Sequence, residues 1–263
     1  MNAALLAAEW RKIATTKLLW ILLAVGVAYS CVQAVTLTLI AAGALPGVPS
    51  SPDLLMDPRY VTTVLGQVST AATFVLVAGV IGMTGEFRHM TITSTFLMAP
   101  RRSPVLVAKA ITYALVGIAA ALVTFLAVLV AAVAVLAPFD HAPITVDAAL
   151  SVLAGAAIGM ALYGILGICV GSLITNQVAA IVTTLLAVLL VEPLVGVAFP
   201  AVSPWLPSGA LNAAMNVGLR SEMSGSFAEA DLLPVWGGIA LLLGYSVVLA
   251  AVASGTALRR DIT

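Results

Sequence analysis

Six apolar runs, at about residues 18–42, 68–84, 110–137, 148–174, 178–199 and 235–258, constrain this chain more than any other feature. Each comes close to or exceeds the ~20 helical residues that cross about 30 Å of hydrocarbon. In lipid the backbone must satisfy its own polar groups, so only helices or closed barrels can span. The runs are continuous, without the period-2 alternation of barrel strands, so all six read as helices. Only 8% of residues are charged, against about 25% in a soluble domain. So few charges cannot cover a water-soluble surface. The expected fold is therefore all-α, one polytopic transmembrane domain over residues 1–263, with an amino-terminal interfacial helix at about 2–17 and no soluble catalytic domain.

The net charge is zero, which gives no pointer to a nucleic acid or an acidic partner. The distribution of the charges says more. With the amino terminus inside, the cytoplasmic segments hold Arg11, Lys12, Lys17, Arg88, Arg101, Arg102, Lys109, Arg259 and Arg260, leaving only Arg59 and Arg220 outside. The positive-inside rule selects this topology, with both termini cytoplasmic. The first run is too long for a signal-peptide core and is expected to remain as a signal anchor. Cys31 and Cys169 lie inside apolar runs and read as small buried hydrophobes.

Ahead of the first run, Leu6, Trp10 and Ile13 recur at spacings of four and three, predicting an apolar face turned away from Glu9, Arg11 and Lys12. Such a helix suits the membrane surface, with Trp10 at the headgroup level and the basic residues near the anionic inner leaflet. The cytoplasmic segment 85–104 is unlike a generic loop. Glu86 would sit in the first turn of a short helix, with Phe87, Met90, Ser94 and Leu97 sharing a face until Pro100 ends it. Its β-branched residues, Thr91, Ile92, Thr93 and Thr95, keep helix propensity low, so a partner protein is expected to hold it.

The pattern Gly85-Glu86-Phe87-Arg88, then Thr91-Ile92, then Pro100-Arg101-Arg102 and Lys109, sits between the second and third of six spans. Together with Glu9-Trp10-Arg11-Lys12 it resembles the permease subunits of type-2 ATP-binding-cassette (ABC) exporters. The resemblance covers the whole chain in layout and about 35 residues in motif. It implies that residues 9–17 form an interfacial connecting helix. It also implies that residues 85–104, including Glu86, Phe87, Arg88, Met90, Thr91, Ile92, Arg101 and Arg102, form the segment that docks on a separate ATPase. Residues 200–234 would form short helices or a re-entrant turn near the outer surface. The partners implied are cytoplasmic ABC ATPases, a second permease copy or paralogue, and membrane lipids of a bacterial cytoplasmic membrane. ATP and Mg are expected on the ATPase, with no cofactor held by this chain.

The fourth run carries Gly155, Gly159, Tyr163, Gly167 and Gly171 at a constant spacing of four, the pattern of close helix packing. Glu192 is the one carboxylate deep in a run, about 21 Å along the fifth helix at about 1.5 Å per residue. The following Pro193 frees a backbone carbonyl. The pair is a candidate outer gate, or Glu192 snorkels to the outer interface. Segment 175–177 leaves room only for a tight helical hairpin between the fourth and fifth spans.

No lysine follows a glycine in a phosphate-cradling G-x-x-x-x-G-K-[ST] loop, so ATP hydrolysis is not expected of this chain alone. His89 and His141 fall on opposite sides of the membrane, which gives no metal-ligand cluster. The function expected is export of a hydrophobic or amphipathic substrate such as a drug, antibiotic, peptide or lipid. The alternatives are a secondary transporter, for which Glu192 is the only clear midspan ionisable group, and a non-transporting assembly or sensor protein.

Overall fold

The computed structural model describes residues 3–45, 47, 50–89, 102–217 and 233–255. Within them the chain forms α1 (Ala3–Thr15), α2 (Lys17–Ala41), α3 (Pro58–Gly66), α4 (Ala72–Arg88), α5 (Arg102–Leu136), α6 (Val146–Leu173), α7 (Gln177–Leu186), α8 (Glu192–Ala198), α9 (Pro207–Ala214) and α10 (Val235–Gly255). No strand occurs among the described residues. Six stretches are long and apolar enough to cross a bilayer: Lys17–Ala41, Pro58–Arg88, Val105–Leu136, Val146–Leu173, Gln177–Ala198 and Val235–Ala253. The protein is an all-α polytopic membrane protein.

The second span differs from expectation. Its apolar run of 68–84 is the shortest of the six, yet the helix begins at Pro58 and passes through a 3₁₀ stretch at Gln67–Ala71 into α4, 31 residues in all. The start is set locally: the Asp57 carboxylate accepts from the Arg59 N–H (2.8 Å) and Pro58 occupies the first turn, where its missing N–H costs nothing. Arg59, Thr62, Thr63 and Gln67 lower the local hydropathy and hide the helix. The outer segment 43–67 is thus helical from Pro58 onward. The third span likewise begins at Arg102, ahead of its apolar run.

Spans two and four form the centre, each about two-thirds buried in its most apolar window, while spans one, five and six are about one-fifth buried. The outer faces carry Ile21, Val25, Leu126, Val130, Val182, Leu189, Val247 and Val248, all exposed. Contiguous apolar exposure on this scale belongs in lipid. Helix α6 packs on α4, α5 and α10. Span five departs from a simple hairpin, because α7 packs on α4 in preference to α6. Hydroxyls inside the spans donate one turn back along their own helices, as Thr38 does to the Ala34 carbonyl (3.0 Å), Thr84 to Val80 (2.7 Å) and Thr184 to Ala180 (2.7 Å).

Glycines set the spacing of this core. A Cβ on Gly167 would overlap the Leu76 carbonyl oxygen, and one on Gly155 or Gly159 would overlap Ala214 and Leu211 of α9. Gly171 faces Val80 and Met83, and Gly79 approaches from α4 so closely that a Cβ there would lie 2.7 Å from the Gly164 carbonyl oxygen. The spacing of four along α6 therefore meets α9 at one end and α4 at the other.

Candidate functional site

The pattern of α1 sets Leu6, Trp10 and Ile13 on one face, away from Glu9, Arg11 and Lys12, with Trp10 at the headgroup level. The structure keeps Trp10, Arg11 and Lys12 exposed but turns Glu9 inward. Glu9 is 5% exposed and Trp10 51% exposed, while Ile13, one turn after Glu9, is buried against the bundle. Ile13 joins Leu19, Met83, Tyr113 and Ile168 in an apolar cluster, with Phe87 half-buried at its edge. In a membrane protein an indole gains by facing the headgroup region, and a carboxylate gains by turning inward to a cation. Arg11 remains exposed.

The cation is Lys109, in the second turn of α5 and 1% exposed. Its ammonium lies 2.6 Å from Glu9 Oε2 and 2.8 Å from Glu86 Oε1, and it also donates to the Gly82 carbonyl at 3.4 Å. Lys12 completes the arrangement, 2.7 Å from Glu9 Oε1 and 2.6 Å from Glu86 Oε1. Two carboxylates and two ammoniums thus alternate in a neutral ring joining α1, α4 and α5. Burial alone would lower the Lys12 pKa; the hydrogen bonds and negative charge of Glu86 and Glu9 outweigh it and raise it above the ordinary lysine value. Lys12 therefore keeps its charge at neutral pH.

Glu86 therefore belongs to the last turn of span two instead of opening a separate coupling helix, and it is buried, at 5% exposure. Its Oε1 takes both lysines, while Oε2 is buried without a hydrogen-bond partner among the described residues. Phe87 and Arg88 follow in the same turn, with Arg88 exposed and donating to Gln177 Oε1 at 3.3 Å. Both border a hollow of about 560 Å³ floored by Thr175, Asn176, Gln177 and Val178 at the start of span five. A second hollow, of about 410 Å³, lies between α1 and the end of α4, beside the ring. Met90, Thr91, Ile92 and Arg101 lie outside the described residues, as do residues 218–232 of the outer connection; Arg102 opens α5.

Lys109 is the ring member that sequence reasoning missed as a site residue. It borders an apolar run and passes for an ordinary basic flank. A signal was present, because a lysine one turn from hydrocarbon needs a buried acid, and Glu9 and Glu86 are the acids bordering the neighbouring spans on the same side.

At the other end of the bundle Glu192 neither snorkels nor lies open: it is 8% exposed. Its Oε2 accepts the Ser208 N–H (3.0 Å) at the start of α9, satisfying one of the donors that a helix N-terminus leaves unpaired. The Tyr245 hydroxyl of α10 donates to the Trp205 carbonyl (2.6 Å), a further tie between span six and the segment before α9. Pro193 sits in the first turn of α8, immediately after a π-helical turn at Ala187–Val191. The wide turn absorbs the hydrogen bond that proline cannot donate. Glu192 thus ties the start of α9 to span five.

Among the described residues neither end assembles a nucleophile with a base, and no group of three or more potential metal ligands occurs. The arrangement at the α1 end can do mechanical work. Pulling α1, α4 or α5 apart would strand a buried charge, so these elements are constrained to move together. Fold and site together define a polytopic helical membrane protein whose surface helix is tied into the bundle by a buried ion ring. The sequence matches no protein-family model and no curated protein.

Proposed function

We propose that this chain is the membrane-spanning subunit of an ATP-driven exporter of the type-2 ABC kind, set in a bacterial cytoplasmic membrane with its α1 end inward. It would pair with a second permease copy or paralogue and with two cytoplasmic ATPases that hold the ATP and Mg. The observation that carries the reading is the ion ring. The two segments that the motif resemblance assigns to the membrane surface and to ATPase docking, α1 and the 86–88 turn, meet through Lys109. A push on Phe87 and Arg88 from below would pass through Glu86 into α1 and α5. Through the close glycine contacts of α4 with α6 it would also reach the centre of the bundle. Rigid groups moving against one another in this way are the structural basis of alternating access. The exposed apolar surface, and the confinement of every charge except Glu192 to the ends of the described spans, favour a hydrophobic or amphipathic cargo over a bare ion.

The test is purification of the tagged chain in mild detergent. An ATP-hydrolysing subunit should co-purify, and Phe87→Ala with Arg88→Glu should reduce its recovery at least about tenfold, as expected for loss of an apolar anchor and reversal of a charge at an interface. Recovery of the chain without any ATPase, or equal ATPase recovery with the double variant, would contradict the reading.

A further inference from the structure

We infer that the hollow between α1 and the end of α4 is a binding site for the phosphate of an anionic phospholipid whose acyl chains lie on α2. The hollow holds about 410 Å³. What a ligand meets there differs from what the ion ring contains. Both carboxylates of the ring are turned away: Glu9 and Glu86 are each 5% exposed, and Glu86 Oε2 is closed off from the hollow. The Lys12 side chain, in contrast, is 45% exposed, and its ammonium keeps one N–H beyond the two spent on Glu9 and Glu86. Arg88 at the rim is exposed and donates only to Gln177 Oε1 among the described residues. That contact takes up the Gln177 amide oxygen and leaves its NH2 group as a further donor bordering the hollow. The accessible polar groups are thus chiefly donors, and two of them are cations.

The ring itself sums to zero, so Arg88 leaves the hollow with surplus positive charge. A phosphodiester offers only acceptors and a negative charge, and its two free oxygens match the planar fork of a guanidinium. The apolar side supplies a place for acyl chains. Leu18 lines the hollow and begins a stripe with Ile21 and Val25, at spacings of three and four along α2, all three exposed. A phosphate seated at Lys12 and Arg88 would therefore have its chains lying on a lipid-facing helix. A choline or ethanolamine headgroup brings a cation of its own, which meets the surplus positive charge and finds both carboxylates shut away. Phosphatidylglycerol, with a neutral glycerol headgroup and an uncompensated phosphate, fits better than either.

Lipid retention depends on the membrane fold and the hollow alone, so it is read whether or not an ATPase co-purifies. The full chain in mild detergent, titrated separately with dioleoyl phosphatidylglycerol, phosphatidylcholine and phosphatidylethanolamine, is followed by native mass spectrometry. The glycerol lipid should bind about fivefold more tightly than either zwitterionic lipid, the ratio expected of one net charge beside a basic group. Arg88→Gln should bring the three lipids to within about twofold of one another. Arg11→Gln removes the same charge from an exposed position on α1 that does not border the hollow, and should keep a preference of at least about threefold. Gly85→Leu changes no charge. Gly85 borders the hollow, and a Cβ there meets nothing within 4 Å, so leucine fills the space without displacing a neighbour. It should remove the preference while leaving the unfolding temperature at or above wild type. Equal retention of all three lipids, equal losses in the Arg88 and Arg11 variants, or an undiminished preference in Gly85→Leu would overturn the proposal. So would displacement of the lipid by an equal concentration of glycerol 3-phosphate, which would identify a site for a soluble phosphate compound.

Discussion

Lys109 stands 100 residues after Glu9 in the sequence, and its ammonium lies 2.6 Å from the Glu9 carboxylate. Removing it should be costly, because Glu9 and Glu86 would then share only Lys12. Lys109→Met is expected to destabilise the protein by about 3–5 kcal/mol, the usual consequence of leaving a buried charge unpaired. Adding Glu9→Gln returns the site to a neutral Lys12–Glu86 pair and should recover more than half of that loss. Tryptophan-detected thermal unfolding in detergent measures both, and losses that simply add would show that the ring is not a coupled unit. The motif residues around this ring were legible in the sequence, but their burial was not. Periodicity groups Glu9 with Arg11 and Lys12 on the polar face, where water would solvate it. Next to a bilayer a carboxylate that meets a cation from a neighbouring helix turns inward, and that cation, Lys109, lies 100 residues away in the sequence.

Among the helices, the contacts of α6 separate glycines that permit close approach from those that do not matter. Gly167→Ala would drive a methyl group into the Leu76 carbonyl oxygen, and overpacking against backbone costs about 1–3 kcal/mol. Gly244→Ala, where a Cβ meets nothing within 4 Å, should be neutral or stabilise by up to about 1 kcal/mol, since alanine is the better helix former. The unfolding temperature of Gly167→Ala should therefore fall well below wild type and that of Gly244→Ala should lie at or above it; equal shifts would mean that α4 and α6 are not in the close contact described. The glycine spacing is readable without a structure because it is local to one helix. The partners of that spacing are not, because α4 and α9 come from distant parts of the chain. Helix ends were harder still. Pro58 to Gln67 is hidden by polar side chains that lower its hydropathy, of which only Thr63 is buried, and the π-helical turn before Pro193 is a response to a missing N–H that shows in the sequence only as the proline itself.

The six-span architecture was the most legible level, because bilayer thickness and backbone satisfaction leave few alternatives to a chain with these apolar runs. What the spans do together is a question of coupling, and coupling depends on contacts between segments that no run of hydropathy encodes. The ion ring is the place where this account puts the connection between a cytoplasmic ATPase and the bundle. Its most direct test is the rate of ATP hydrolysis by the co-purified complex in proteoliposomes, comparing the wild-type chain, the Lys109→Met/Glu9→Gln double variant and the ATPase alone. The wild-type chain is expected to change the rate of the ATPase severalfold, roughly 1 kcal/mol in the activation barrier, while the double variant co-elutes with the ATPase yet returns the rate to that of the ATPase alone. One common rate in all three preparations would contradict the assignment of the ring as the coupling element.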